Sequence, residues 1–349
     1  MTVNTKRVFY VNHLADGVYA EILATRPEVR LEKLKNGSAD AEAMAVLETA
    51  HAYQIGSARD ELNSKYHADA GLLARTPNLL VVSTNGAGYD TVTLADCTKA
   101  GVLVVNQAGG NSEAVAEHVL AMMLCLSKRI IETDRFMRRA PEIERNAYMG
   151  NDIHGKTVGI VGIGHVGSRV AELCRGLFRM RVIAYDPYLS AAEIAARSAE
   201  KVALDALLRG ADYVSINCPR TDETRGMIGA REYALMQPHA YFITTARGGI
   251  HDEMALAEAL RQKRLAGAGL DVWAKEPPSP DHPLMAFDNV LVSPHTAGVT
   301  SEARKNIARI AAEQMLDILD GKRPRRILNP DVWPRYARRF EQTFGFAPS

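Results

Sequence analysis

Short runs of consecutive apolar residues recur along the chain, separated by stretches with helical periodicity. In the first third the runs Arg7–Asn12, Leu79–Ser83 and Val102–Asn106 predict strands. A denser series follows: Thr157–Val161, Arg181–Tyr185, Ala211–Asn217, Ala240–Thr245, Gly267–Trp273 and Asn289–Ser293. These runs hardly alternate in polarity, which is the pattern of strands buried on both faces. Helical patterns lie between them, for example Val166–Leu177 and Asp252–Gln262. Alternation of β and α predicts an α/β fold of parallel sheets with helices on both faces.

Two longer helical stretches break this rhythm. Ser112–Arg139 contains the longest apolar run, Val119–Leu126, and Thr300–Asp320 ends at Gly321, a suitable C-cap. The stretch Ala140–Ile153 is polar and reads as a connection. Seven Lys or Arg residues crowd the last 28 positions, against Asp331 and Glu341. They read as a solvated or packed tail.

With 349 residues the chain has room for about two domains. A formal charge of +1 leaves no global nucleic-acid or membrane-surface footprint. The eight residues Val119–Leu126 fall far short of the roughly 20 that a spanning helix needs. Met1–Tyr10 is polar and has no signal-peptide core. Cys97, Cys125, Cys174 and Cys218 are far apart with no CxxC pair, which predicts free thiols rather than a disulfide framework or a metal site. The expectation is a soluble cytoplasmic protein without nucleic-acid or membrane partners.

Gly162, Gly164 and Gly167 form GxGxxG between a predicted strand, Thr157–Val161, and a predicted helix. A second strand follows and closes on Asp186, 19 residues after Gly167, near the spacing of about 20 of a dinucleotide-binding turn. Each glycine has a physical task. Gly162 permits the tight turn, Gly164 lets backbone approach a pyrophosphate, and Gly167 lets helix and strand pack closely. The helix start at His165 and Val166 offers N–H groups and a positive dipole end to the phosphates. Asp186 would accept hydrogen bonds from the adenosine ribose and repel a 2′-phosphate. NAD(H) is therefore expected over NADP(H).

Three later segments close predicted strands, where open α/β sheets bind ligands: Thr244–Gly249, Asp271–Pro278 and Ser293–Gly298. Together with the glycine turn they resemble the D-isomer-specific 2-hydroxyacid dehydrogenase family. The resemblance runs from about residue 50 to 330. It includes Asn85–Asp90, Asn106–Asn111, Glu117-His118 and Cys218–Thr224. It implies a catalytic triad of Arg247, Glu276 and His295. Reduction of a 2-oxo acid places negative charge on the carbonyl oxygen, and a protonated imidazole supplies the proton. A carboxylate holds and charges the imidazole, and a guanidinium fork grips the substrate carboxylate. The resemblance also implies substrate binding by Asn85, Gly86, Ala87 and Gly88, whose N–H groups form an anion nest, with Arg247 and His295. Cofactor contacts are implied for Cys218, Pro219, Thr224, Thr245, Ala246, Arg247, Asp271, His295, Ala297 and Gly298. His118 reads chiefly as a packing residue.

What the resemblance implies overall is an NAD-dependent dehydrogenase of a small D-2-hydroxy acid, of the phosphoglycerate dehydrogenase-like or hydroxypyruvate reductase-like branch. Two Rossmann-like domains, one flavodoxin-like and one NAD-binding, would flank an active-site cleft. The substrate domain would comprise residues 1–112 plus 301–349, and the NAD-binding domain 113–300. The two long helices would join them as hinges. The chain is too short beyond Gly321 for the regulatory module of some serine-pathway relatives. Homodimers are common in the family, and Val119–Leu126 is a candidate interface element. Asn85, Tyr89 and Gln107 are polar candidates for substrate discrimination. Formate dehydrogenases carry Gln where Glu276 stands. An NADH-sensing corepressor, a binding protein that keeps the same triad, is the alternative class.

Overall fold

The structure is a computed structural model that describes residues 5–59, 61–139 and 144–349. The first four residues of the expected polar N-terminus and the start of the expected connection, residues 140–143, lie outside the described residues. The chain divides into two compact units. One runs to Asn111 and resumes over Thr300–Ser349, and the other is Ser112–Val299.

The first unit is built on five parallel strands: β1 (Lys6–Val11), β2 (Val29–Leu34), β3 (Ala52–Ile55), β4 (Val81–Thr84) and β5 (Leu103–Val105). Their spatial order is β2-β1-β3-β4-β5, which is the flavodoxin-like doubly wound order, with its topological switch between β1 and β3. Side chains alternate between two cores. Phe9, Tyr53 and Val82 enter one core, and Val8, Ala52 and Val81 enter the other. The second core is completed by the returning C-terminal helices Ser301–Leu319 and Trp333–Phe344, through Ala311, Met315, Tyr336 and Phe340.

The basic tail is partly packed and partly solvated. Arg335 and Arg339 donate to the carbonyls of Lys99, Ala100 and Gly101 at the end of the helix Leu94–Ala100, and Arg339 also reaches Pro77 O at 2.7 Å. Cations there complement the negative end of the helix. Residues 326–329 run antiparallel to β5 and cover the sheet edge, with Leu328 N–H on Val104 O and Val104 N–H on Asn329 Oδ1.

The second unit carries seven parallel strands: β6 (Thr157–Val161), β7 (Arg181–Tyr185), β8 (Glu200–Lys201), β9 (Tyr213–Ile216), β10 (Tyr241–Thr244), β11 (Gly267–Leu270) and β12 (Val290–Val292). The order β12-β11-β10-β9-β6-β7-β8 is the Rossmann order with one strand added, and it reverses between β6 and β9. Two cores, one on each face, hold it between helices.

One expectation needs correction here. The helical stretch Ser112–Arg139 is not continuous. It breaks at Arg129 (φ +53°) into Ser112–Ser127 and Ile130–Met137. The Arg129 side chain pairs with Glu132 and donates to Ala147 O at 2.7 Å, which fixes the turn. The apolar run Val119–Leu126 packs inside its own unit. Val119, Met122 and Met123 are buried in one of the two cores, and Met122 lies against Gly269 of β11, where a Cβ would stand 2.9 Å from its sulfur.

Among the described residues no helix is long and apolar enough to cross a membrane, and no cluster of His, Cys, Asp or Glu is built to hold a metal ion.

Candidate active site

The glycine turn follows β6 at the sheet's switch point. Gly162 has φ +85°, and a Cβ there would meet the Cys218 backbone nitrogen at 2.6 Å. Burial pushes the Cys218 thiol up to about 11, so it serves packing and not nucleophilic chemistry. At Gly167 a Cβ would stand 2.3 Å from Gly162 O, so only glycine lets the helix His165–Phe178 approach the turn. Gly164 faces open space instead. Among the described residues the N–H groups of His165, Val166 and Gly167 find no acceptor. An open glycine beside unpaired amides at a helix start is a cradle for phosphate.

Asp186, at the end of β7, accepts from Ile163 N–H at 3.2 Å and from Tyr188 N–H at 3.1 Å. It is thereby tied to the glycine turn. At the ends of β9 and β10, Asn217 Oδ1 and Thr245 Oγ1 are buried polar atoms that nothing among the described residues satisfies, as expected beside a ligand with polar groups. The chain's residues thus fit a dinucleotide. Thr224 accepts from Thr221 N–H and donates to Pro219 O at 2.7 Å, so it shapes the loop that begins at Cys218.

Strands β10, β11 and β12 are neighbours, so the loops leaving them converge. His295 Nδ1 lies 2.8 Å from Glu276 Oε2. A carboxylate only accepts, so the ring donates from Nδ1 and leaves Nε2 for other work. Glu276 Oε1 accepts from Trp273 N–H at 3.1 Å. The indole of Trp273 donates in turn to Ser293 O at 3.1 Å and ties the two loops together. Ala274 N–H donates to Glu253 at 2.6 Å. Gly248 packs so tightly on the same loop that a Cβ would overlap Trp273 O, at 1.8 Å. Arg247 precedes Gly248 on the loop after β10, and its Nη1 donates to Ala246 O at 2.7 Å.

His295 itself sits at φ +56°, a region sparsely populated by residues other than glycine. Such a conformation costs on the order of 1–3 kcal/mol and persists only where neighbours over-determine it. Asp271 supplies that support. Its carbonyl accepts His295 N–H at 2.7 Å, and its carboxylate accepts Thr296 N–H at 2.8 Å, Ala297 N–H at 2.9 Å and Ser293 O–H at 2.6 Å. Asp271 is fully buried. Two residues expected to touch cofactor, Asp271 and Ala297, therefore have their polar groups engaged within the chain.

The electrostatics favour the charged pair. The hydrogen bond to Glu276 raises His295 above the ordinary histidine value, against burial, with the charges of Glu276 and Asp271 helping and that of Arg247 opposing. Burial pushes Glu276 up, but His295, the Trp273 amide and Arg247 outweigh it and hold the carboxyl below its usual range.

In the first unit the loop after β4 carries Asn85, Gly86, Ala87 and Gly88. Two of its amides are already used: Asn85 N–H donates to Ile55 O at 2.8 Å, and Gly86 N–H to Gln107 Oε1 at 3.0 Å. The amides of Ala87 and Gly88 have no acceptor among the described residues. Gln107 is fully buried and also donates to Ser83 Oγ at 3.0 Å. It braces the loop and cannot read a substrate directly. Gln54 donates from Nε2 both to Thr84 O and to Asn85 Oδ1. The carbonyl fixes the orientation of Gln54, which in turn fixes the amide of Asn85. Tyr89 packs against one of the unit's cores.

A doubly wound sheet with a phosphate cradle at its switch point, and an imidazole–carboxylate pair at neighbouring strand ends, defines a nucleotide-binding α/β protein. Residues 120–297 match the family model described as D-isomer specific 2-hydroxyacid dehydrogenase, NAD binding domain. A D-3-phosphoglycerate dehydrogenase of Archaeoglobus fulgidus is 38% identical over 274 residues, 78% of this chain and 52% of that one. A glyoxylate reductase of Aeropyrum pernix is 39% identical over 271 residues, 76% of this chain and 80% of that one. Among solved structures, the D-lactate dehydrogenase from Aquifex aeolicus, complexed with NAD and lactic acid, superposes with a TM-score of 0.76 at 26% identity, covering 90% of this chain and 96% of that one. The chain belongs to the D-isomer specific 2-hydroxyacid dehydrogenase family. It spans about half the length of the phosphoglycerate dehydrogenase relative it matches.

Proposed function

We propose that the chain is an NAD-dependent dehydrogenase that interconverts a small D-2-hydroxy acid and its 2-oxo acid. The observation that carries this reading is the 2.8 Å His295–Glu276 pair, formed between the loops after β12 and β11, beside the loop of Arg247 after β10, in a sheet with a phosphate cradle. The nicotinamide supplies or takes up the hydride at the substrate's second carbon. His295 Nε2 gives its proton to the carbonyl oxygen during reduction and takes it back during oxidation. Glu276 stays ionised throughout and keeps the proton of the other ring nitrogen in place. Arg247 binds the carboxylate and polarises the carbonyl. In the first unit, the loop Asn85–Gly88 is assigned to the substrate carboxylate through the amides of Ala87 and Gly88.

Relatives of nearly equal identity bear two substrate names, D-3-phosphoglycerate dehydrogenase and glyoxylate reductase, so identity does not choose a substrate. The test is a panel of glyoxylate, hydroxypyruvate, phenylpyruvate and phosphohydroxypyruvate with NADH, followed by absorbance. At least one is expected to be reduced. NADH binding without turnover of any 2-oxo acid would overturn the enzyme reading and favour an NADH-sensing binding protein, which draws no support from the relatives named above.

NADH is assigned over NADPH through Asp186. Hydrogen bonds to a charged acceptor contribute roughly 1.5–3 kcal/mol, so Asp186→Ala should lower the NADH/NADPH ratio of kcat/KM by at least about tenfold. Both cofactors lose some affinity, because Asp186 also holds Ile163 N–H. The ratio isolates the ribose contribution, and an unchanged ratio would contradict it.

A further inference from the structure

His118 is set nearly two turns into the helix Ser112–Ser127, with its side chain 27% exposed. Its Nε2 lies 3.1 Å from Ser293 Oγ and 3.9 Å from Asp271 Oδ1. Ser293 Oγ is 2.6 Å from that same oxygen. The proton positions follow from chemistry. Asp271 is an acceptor, so the Ser293 hydroxyl donates its single proton to it. Toward His118 the serine oxygen can then only accept, so Nε2 of His118 carries hydrogen. The chain of donation runs one way, from His118 to Ser293 to Asp271. It ends on the carboxylate that receives the amides of Thr296 and Ala297, directly after His295.

We propose that His118 is a positioning residue for the acid/base His295, acting through Ser293 and Asp271. This rests on the dehydrogenase reading given above. The Asp271 carboxyl group is fully buried, and such a group is held only while its hydrogen bonds are satisfied. His118 keeps Ser293 turned toward it. Without that donor the serine oxygen has an unmet lone pair and is free to rotate to another partner. Asp271 then loses one of three carboxylate bonds, and the loop that holds His295 in its left-handed conformation loosens. His118 touches none of the reacting groups. A displacement of about 1 Å at a catalytic group is enough to slow turnover about a hundredfold.

Two variants separate positioning from bulk and folding. His118→Phe keeps a flat ring and removes the donor, whereas His118→Gln keeps an N–H at nearly the same reach. His118→Phe should lower kcat by about tenfold or more while leaving the KM for NADH within about twofold, and His118→Gln should restore kcat to within about threefold. Amide hydrogen exchange over residues 293–299, measured on the full chain without substrate, should rise about tenfold in the Phe variant and stay near wild type in the Gln variant. Wild-type kcat and exchange in His118→Phe would overturn the proposal. So would equal losses in both variants, or a loss confined to the KM for NADH, which would put His118 at the cofactor instead. If the wild-type chain reduces none of the 2-oxo acids, the dehydrogenase reading falls, and the exchange measurement still decides whether His118 holds this loop.

Discussion

Replacing His295 with alanine is expected to slow 2-oxo acid reduction by about a hundred- to ten-thousand-fold, the usual contribution of a positioned general acid. NADH affinity should change by no more than about threefold. The reason lies in how the second unit divides its tasks. The phosphates are assigned to the glycine turn after β6 and the helix start at His165, while the imidazole stands on the loop after β12. Alanine removes the proton donor without touching the cradle. The backbone remains pinned, because Asp271 holds the amides of residues 295–297 and not the ring. Alanine at φ +56° is itself disfavoured, so a modest fall in thermal stability should accompany the loss. Stopped-flow measurement of hydride transfer, alongside NADH titration by fluorescence, reads the two effects separately. Parallel loss of rate and affinity would mark His295 as a structural residue and remove it from the chemistry.

The contrast between His295 and His118 shows what the sequence makes visible. Strands such as β6 and β7 were legible because they are short, apolar and punctuated by glycine or a turn residue. β2 was not, because Arg30, Glu32 and Lys33 break its apolar run at a sheet edge, where only one side is covered. β3 was missed as well: it is four residues long and includes the buried Gln54. The break at Arg129 was invisible because arginine is not a usual left-handed residue, and the turn is stabilised by its own ion pair with Glu132. At the site, the residues proposed as a triad stand out as motifs beside strands. The contacts around them do not. Ser293 and His118 are 175 residues apart in the chain and meet only because the helix Ser112–Ser127 packs on the sheet. Polarity alone also misled at Gln107, whose amide is spent within the fold.

Glu276→Gln is expected to do comparable damage by a different route, and its pH dependence reveals it. In the native chain the Glu276 hydrogen bond and charge raise His295 above its ordinary value of about 6.5. Reduction needs the protonated ring, so its rate should hold at low pH and fall as pH rises through that raised value. Oxidation needs the neutral ring and should rise through the same value. With glutamine the charge is gone, and burial and Arg247 both press the imidazole toward neutrality. The limb of the reduction profile should then move to lower pH by about one unit or more. The rate plateau should fall too, for a reason visible in the geometry. Trp273 N–H needs an acceptor, so the glutamine oxygen takes the place of Oε1 and its NH2 turns toward His295. A neutral ring must then accept at Nδ1 and carry its proton on Nε2, the tautomer that cannot act as base in oxidation. A wrong tautomer of this kind costs up to about ten-thousand-fold in a related imidazole–carboxylate pair. Rate profiles measured in both directions between pH 5 and 9 decide the matter, since an unmoved limb would mean that Glu276 does not set the charge of His295.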